Sequence, residues 1–227
     1  MPPASRAATS DRDRGLLLRL AREAIAAHVG VAPAHVAAES GVLGVPAGAF
    51  VSLHKRGDLR GCIGHIEPNE PLGKVVPRCA VAAAATDPRF PPITPEELAQ
   101  IDIEISLLGA LEPIRGPEEI VVGRHGLVVE LGWHRGLLLP QVATEWNWNA
   151  ETFLAHTCHK AGLSRDAWKR GAQIWRFEAE VFAEGPDGPG GSGRPGGSGR
   201  SGGSGGSGRS SRRLEGARLM TVKSSPS

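Results

Sequence analysis

A β-hairpin in the first third of the chain is the feature that most constrains the fold. Residues 50–55 have the composition of a strand, residues 56–58 (Arg-Gly-Asp) have that of a turn, and residues 59–64 form a second strand-like stretch. Two short strand segments joined by a glycine-containing turn predict a pair of antiparallel strands. We therefore expect an antiparallel sheet to carry at least part of the core.

The second strand of this hairpin carries Cys62 between Gly61 and Gly64. Period-two alternation predicts that Arg60 and Cys62 share one face, with Leu59 and Gly61 on the other. Glycine inside a strand marks a bulge or the close approach of another backbone or a ligand. We therefore expect the Cys62 thiol to lie beside open space.

The elements around this hairpin follow an order that occurs twice. A first helix, capped by Ser10 and ending near His28, precedes both occurrences. The first half contains the hairpin, a helix over 72–85 capped by Asn69, an extended proline-rich stretch over 87–92, a short helix after Thr94 and a strand over 101–107. The second half contains a hairpin with arms 127–131 and 136–139, a helix from Asn149 to Gly162 and a strand over 172–183.

The repeated order predicts an α+β fold. Leu59 and Leu139 are 80 residues apart, as are Asn69 and Asn149, so hairpin and helix cap keep the same spacing in both halves. We interpret this as a duplicated unit of hairpin, helix, short helix and strand in two subdomains. The expected architecture is a two-layer sandwich of antiparallel sheet and helices.

Composition divides the chain into a folded part and a tail. Residues 185–227 consist mainly of Gly, Ser, Pro and Arg, which cannot bury enough apolar surface to fold, so we predict a disordered tail. The folded domain then covers residues 11–184, after a flexible N-terminus over residues 1–10. The tail has a net charge of +5, which leaves the rest of the chain at −3. A core of this charge is not expected to bind nucleic acid, and the tail is expected to bind polyanions weakly at most.

The sequence also predicts a compartment. The first ten residues lack the apolar segment of a signal peptide, and no apolar run is long enough to span a membrane, so a cytoplasmic protein is expected. Cys62, Cys79 and Cys158 are too few and too scattered for a disulfide framework, so we interpret them as reduced thiols.

Six separated motifs resemble the AMMECR-type domain family, which is named for the chromosomal region linked to Alport syndrome, mental retardation, midface hypoplasia and elliptocytosis. The motifs are residues 59–64 (LRGCIG), 87–90 (DPRF), 103–106 (IEIS), 123–127 (GRHGL), 138–143 (LLPQVA) and 158–163 (CHKAGL). The resemblance covers roughly residues 12–184. It implies the same α+β fold, and no settled reaction is attached to it.

The bacterial members resembled here are A proteins of the AmmeMemoRadiSam system. They occur with a Memo-like protein, which resembles extradiol dioxygenases, and with a radical S-adenosylmethionine protein. The resemblance therefore implies these two proteins as partners in a shared pathway.

Cys62 is the candidate nucleophile, because a thiolate needs only a nearby cation or histidine to lower its pKa, and Arg60 could supply the charge. The alternative is that Cys62 is a small buried apolar residue. His125, in a glycine-flanked turn, is a candidate base, although turn histidines are often only solvated. Glu145 is a candidate acid or base, or an ordinary exposed carboxylate.

The motif residues are most simply explained if they meet at one cleft between the two halves. The catalytic candidates are Cys62, His125 and Glu145, and the substrate-binding candidates are Arg60, Gly61, Gly64, Asp87, Arg89 and Gln141. No cofactor is predicted. No metal site is predicted either, because His156, Cys158 and His159 lack a second ligand pair at matching spacing.

Two functions of different classes fit these observations. The first is a small-molecule-handling component of the implied pathway, with Cys62 lining the site. The second is a non-catalytic adaptor that binds a protein or nucleic acid. The absence of phosphate-binding, nucleophile-elbow and zinc-protease motifs favours neither.

Overall fold

A computed structural model of the chain describes residues 9–33 and 40–185, together with the backbone of residues 221–222. The first helix, α1 (Asp11–His28), begins where predicted, because the Ser10 hydroxyl accepts a hydrogen bond from the Asp13 N–H. Its buried face consists of Leu17, Leu18, Leu20, Ala21, Ile25 and Ala26. Before the helix, the Thr9 hydroxyl donates to Glu180 at 2.8 Å.

The first half of the domain contains the predicted hairpin, with strands β1 (Ala49–Lys55) and β2 (Asp58–His65). Arg56 and Gly57 both have positive φ angles, 54° and 83°, as the two central residues of a type I′ hairpin turn require. Helix α2 (Leu72–Ala85), a 3₁₀ helix over Pro95–Gln100 and strand β3 (Ile101–Leu108) follow.

The helix cap of α2 differs from the prediction. Pro71 precedes the first turn with no side-chain cap, whereas the Asn69 amide oxygen bonds to His65 Nε2 at 2.8 Å. The capping prediction for Asn69 is therefore wrong. The helix begins after proline, whose φ is already set for the first turn.

The second half repeats the order of the first. After the short strand β4 (Glu112–Ile114) come strands β5 (His125–Leu131) and β6 (His134–Leu138) of the second hairpin, helices α3 (Pro140–Glu145) and α4 (Ala150–Lys160), a 3₁₀ helix over Ala167–Arg170 and strand β7 (Gln173–Ala183). Asn149 caps α4 as predicted, by accepting from the Thr152 N–H at 2.8 Å. The short helix α3 was not predicted. Trp146–Asn149, where Asn147 has a φ of 51°, separates it from α4, which corresponds to the predicted helix.

One curled sheet joins the two halves. Its strand order is β6-β5-β7-β3-β1-β2, with β4 also paired to β7, and these strands are all antiparallel. A two-residue strand, β8 (Thr221–Val222), pairs parallel to β2. The rest of the predicted tail, residues 186–220 and 223–227, lies outside the described residues, as do residues 1–8.

Two apolar clusters form the core. The first lies between the sheet and helices α1 and α2. The second contains residues of both halves, among them Phe50 and Cys62 from the first and Val128, Leu137 and Phe177 from the second. Helices that cover an antiparallel sheet make this an α+β fold, as predicted. No helix in the described ranges combines the length and apolar composition needed to cross a bilayer.

Candidate functional site

The candidate site is built on three side chains that form a row across neighbouring strands. Cys62 of β2 stands opposite Ser52 of β1, which in turn stands opposite Glu104 of β3. The adjacent row begins at Gly61, which lies against Ala83 of α2. Because successive side chains point to opposite faces, the row of Cys62, Ser52 and Glu104 faces away from α2. We call it the polar row.

The polar row lies between a buried and an exposed part of the same sheet face. On one side, Phe50 stands opposite Ser106, and both are buried. On the other side, half-buried His54 stands opposite exposed Asp102. The polar row therefore lies at the boundary between the buried and the exposed part of this sheet face.

The glycines that flank Cys62 are packed against protein. A Cβ on Gly61 would collide with the Ala83 carbonyl oxygen, and a Cβ on Gly64 would collide with the Phe50 ring. Cys62 itself is only 1% exposed. The expectation of open space beside the thiol is therefore wrong, because the close approach that these glycines allow is made by α2 and by an aromatic ring.

Arg60 does not share a face with Cys62. The strand register shifts at this point, and Arg60 is the extra residue of a β-bulge. Its guanidinium binds Glu97 at 3.0 Å and the Pro91 carbonyl oxygen at 2.8 Å. Leu59 packs instead in the cluster that contains Cys62. The predicted arrangement is wrong here because a bulge interrupts the period-two alternation.

The cation next to Cys62 is Arg89. Its guanidinium forms a two-pronged ion pair with Asp87, with Nη2–Oδ2 at 2.7 Å and Nε–Oδ1 at 2.9 Å. The Cys62 N–H donates to the same carboxylate at 2.9 Å. The Phe90 N–H bonds to the Asp87 carbonyl oxygen at 3.2 Å, so the DPRF motif forms a turn and the extended conformation predicted for it is wrong. The turn brings both charged side chains to β2.

The environment of Cys62 sets the protonation of its thiol. Burial raises the pKa of Cys62, and the Ser52 hydroxyl, 3.3 Å from Sγ, and the Arg89 charge only partly oppose this. Burial also disfavours ionised Asp87, but the hydrogen bonds from Arg89 and the Cys62 N–H outweigh it, so the pKa of Asp87 is lowered. The thiol therefore stays protonated at neutral pH, and the carboxylate stays charged.

Lys160, the last residue of α4, completes this side of the site. Its ammonium is half-buried and forms no hydrogen bond or ion pair with any residue in the described ranges. Burial and the like charge of Arg89 lower the pKa of Lys160 to about 8, against the opposing effects of Cys62 and Asp87. Desolvation and a neighbouring cation are the two conditions that activate a lysine amine.

Glu104 occupies the other end of the polar row. It is half-buried, and it too makes no hydrogen bond or ion pair within the described part of the chain. Burial raises the pKa of Glu104, His54 opposes this, and the negative charge of Glu145 adds to it. Glu145 thus acts on the polar row from α3, although its own side chain is exposed. We use "Cys62 site" for the polar row together with Asp87, Arg89 and Lys160.

Sequence reasoning did not select Lys160 and Glu104, although each lies in a motif that carried the resemblance. Lys160 lies in the last turn of a helix, two residues before a glycine. The helix dipole alone explains a basic residue at such a position. Glu104 stands at a polar position of an amphipathic strand, where exposure is the ordinary expectation. Only the packing of distant elements around them distinguishes these side chains.

Besides Arg60, two predicted site residues lie apart from the polar row. His125 lines a cavity of about 640 Å³ beside Arg124 and Arg176, and its Nδ1 accepts from the Val121 N–H at 3.0 Å. Strands β7, β3 and β1 separate it from β2. Gln141 is half-buried in the first turn of α3, where its carbonyl oxygen accepts from the Thr144 hydroxyl. The structure brings together Cys62, Asp87 and Arg89, and leaves His125 in a different cavity.

His156 and Cys158 are packed against protein, whereas His159 is exposed. The His156 ring stacks on Trp148 with centroids 3.9 Å apart, and Cys158 is fully buried. Among the residues that the structure describes, no group of three or more His, Cys, Asp or Glu side chains could hold a metal ion.

The fold and motifs of the chain match known proteins over most of its length. A protein of Methanothermobacter thermautotrophicus is 52% identical over 144 residues, which cover 60% of this chain and 75% of that protein. A protein of Thermofilum pendens is 43% identical over 196 residues, which cover 77% and 91%. The crystal structure of an uncharacterized protein from Pyrococcus horikoshii superposes with a TM-score of 0.71 at 41% identity, covering 77% of this chain and 93% of that one.

The match extends to a whole domain family. Residues 18–182 fit the AMMECR1 family, a range that includes both hairpins, every residue of the Cys62 site and nearly all of β7. The chain therefore belongs to the AMMECR1 family.

Proposed function

We propose that this domain binds and handles a small molecule at the Cys62 site. The observation that carries the proposal is a pair of half-buried side chains of opposite charge, Lys160 and Glu104, that are bonded neither to each other nor to other described residues. Burying a charge without a partner is costly, and such costs are concentrated at functional sites. A bound molecule would supply the missing partners.

The chemistry of the site indicates the kind of molecule that would fit. Lys160 offers a cation beside the Asp87–Arg89 pair, and Glu104 offers a carboxylate two strands away, with Ser52 and Cys62 between them. The two inter-strand spacings between Cys62 and Glu104 amount to about 10 Å. A compound of metabolite size with an acceptor group at one end and a donor group at the other would satisfy both charges.

The family resemblance supports a place for this step in a pathway. We propose that the domain acts together with a Memo-like protein and a radical S-adenosylmethionine protein, and that it supplies the binding site for their common small molecule. Protonated, buried Cys62 would line this site without acting as a nucleophile. Co-purification of the three proteins from cells that express all of them is the direct measurement of the partnership.

A thermal-shift screen tests small-molecule binding. Wild-type protein is melted in the presence of single carboxylates, amino acids and sugar phosphates, and then Lys160→Met and Glu104→Gln are melted with each compound that raises the Tm. We expect at least one compound to raise the wild-type Tm by several degrees and to lose that effect in both variants.

Lys169→Met is the matched control for this screen. Lys169 is 56% exposed and pairs with Glu151 on the surface, so its removal should leave each ligand-induced shift unchanged. Shifts that persist in Lys160→Met and Glu104→Gln, or that disappear in Lys169→Met, would place binding elsewhere and contradict the proposal.

One observation favours the adaptor function instead. Trp133, at the tip of the β5–β6 hairpin, is 92% exposed, and Leu131 beside it is 41% exposed. Exposed tryptophan is rare on free surfaces and common at the centres of protein interfaces. If the domain is an adaptor, Trp133→Ser should abolish co-purification of the partners, whereas Lys160→Met should not affect it.

A further inference from the structure

Lys160 differs from the other lysines that the structure describes. Lys55 pairs with Glu97 at 2.8 Å, Lys169 pairs with Glu151 at 3.3 Å, and Lys74 also has a partner. Within the described ranges, Lys160 alone has neither a hydrogen bond nor an ion pair. Burial and a neighbouring cation both oppose the charge of Lys160.

The groups around Lys160 explain why its charge stays unneutralised. Asp87 and Arg89 face it from the turn after α2, and Cys62 faces it from β2. Both oxygens of Asp87 are already engaged by Arg89 and by the Cys62 N–H. The carboxylate therefore cannot turn to the lysine without breaking a buried ion pair.

The backbone holds Lys160 in this position. The next residue, Ala161, packs directly on Gly136 of β6, so that a side chain on that glycine would collide with the Ala161 backbone. The last turn of α4 is thereby fixed against the sheet. A fixed, unpaired amine next to a cation is the arrangement by which proteins activate lysine as a nucleophile.

We propose that Lys160 condenses with the carbonyl group of an aldehyde or ketone to form an imine, so that the substrate class of the Cys62 site is a carbonyl compound. This inference rests on the proposed small-molecule function and specifies its chemistry. The neutral amine attacks the carbonyl carbon, the C=O bond is replaced by a C=N bond, and the oxygen leaves as water with both amine hydrogens. No oxidant or reductant takes part.

The protonation of Lys160 supports amine chemistry over simple anion binding. A lysine with a pKa of about 8 has roughly a tenth of its amine neutral at pH 7. An ordinary lysine has less than about one part in a thousand. The fraction competent for attack on a carbonyl is therefore raised by about two orders of magnitude, while its attraction for an anion is not increased.

Competitive reductive alkylation of the full-length protein tests this inference. The probe is propionaldehyde with cyanoborohydride at pH 7, limited to less than one modification per molecule, and peptide mass spectrometry measures the extent at each lysine. We expect Lys160 to be modified at least ten-fold faster than Lys55, Lys74 and Lys169. Its rate should rise with pH to a midpoint near 8. In Lys160→Arg, the fast component should disappear while the other lysines react as before.

Slow modification of Lys160, at or below the rate of exposed Lys169, would overturn the imine proposal. That result is distinct from failure of the proposed function. If Lys160→Met still abolishes a ligand-induced thermal shift, the lysine only pairs with a charged ligand, and binding at the Cys62 site stands without covalent chemistry. Fast modification supports the inference whether or not the thermal-shift screen finds a ligand.

Discussion

In both halves of the sheet, the row of side chains that packs under a helix is similar. The row beside it differs between the halves. Helix α2 covers a row that begins at a glycine of β2, and helix α4 covers one that begins at a glycine of β6. In order across the strands, these rows are Gly61, Leu53 and Ile103 in the first half, and Gly136, Val129 and Ile174 in the second. Each glycine lets the C-terminal end of a helix touch the sheet.

The adjacent rows have opposite character. The first half places Cys62, Ser52 and Glu104 there, and the second half places Leu137, Val128 and Trp175. The same strand pairing thus accepts an apolar row, which means that the fold does not require the polar one. Polar side chains kept where apolar ones would be more stable are typical of functional sites, which trade stability for activity.

The largest expected effect comes from the ion pair between Asp87 and Arg89, which lies beside the polar row of the first half. Asp87→Ala should lower the free energy of unfolding by about 3–5 kcal/mol, because it removes the buried carboxylate that pairs with Arg89 and accepts from the Cys62 N–H. Urea denaturation measures it. Asp166→Ala, which removes an exposed pair with Arg170, should lower it far less, because solvent screens an exposed ion pair. Equal losses in the two variants would contradict the buried role of Asp87.

The feature that both halves share, a helix end packed on a strand glycine, is tested by adding one methyl group at each glycine. Gly61→Ala and Gly136→Ala should each lower the free energy of unfolding by about 2–3 kcal/mol, since each Cβ would collide with helix backbone that cannot easily move. Chemical denaturation of both variants compares the halves directly. Gly15→Ala, inside α1, should instead stabilise by up to about 1 kcal/mol. If only one of the two substitutions lowered the free energy of unfolding, α2 and α4 would not pack on the sheet in equivalent ways.

Removing the unpaired amine should make the first half more stable. Lys160→Met should raise the free energy of unfolding at pH 7 by about 1–2 kcal/mol, because the folded pKa of about 8 lies below that of an unfolded lysine. In the unfolded state, the Lys160 amine keeps its proton up to a higher pH than in the folded state. The gain should therefore be complete below pH 8 and vanish above about pH 10. Denaturation at several pH values measures it, with Lys169→Met expected to stay within about 0.5 kcal/mol of wild type.

The smallest expected effect is that of replacing Glu104, at the other end of the polar row. Its dependence on pH should be opposite to that of replacing Lys160. Glu104→Gln should raise the free energy of unfolding at pH 7 by about 1 kcal/mol, because the folded state disfavours the charged carboxylate and so raises its pKa. The penalty in the wild type is absent below the unfolded pKa of about 4 and grows as pH rises through the folded pKa. Stability measured from pH 4 to 7 should separate the two proteins progressively. Glu23→Gln, at an exposed position, is the control and should be about as stable as the wild type at pH 7.

Local patterns were sufficient to predict the hairpins, the limits of α2 and the repeated order of elements. These features depend on turn residues, side-chain alternation and helix breakers that lie within a few positions of one another. The face of Arg60 was mispredicted because the bulge at this residue arises from pairing with β1. Lys160 and Glu104 were not selected from the sequence because their burial depends on elements that are distant in the chain.

Strand β7 pairs with β3 of the first half and with β4 and β5 of the second, yet it is the last long element that the structure describes. During synthesis, β3 and β5 therefore leave the ribosome with one open edge each and keep it until Gln173–Ala183 follows. Open edges recruit strands from other molecules. Chains that stop before residue 173 should thus aggregate, even though they contain both hairpins and helices α1 to α4. Rapid completion of β7 therefore protects the nascent protein.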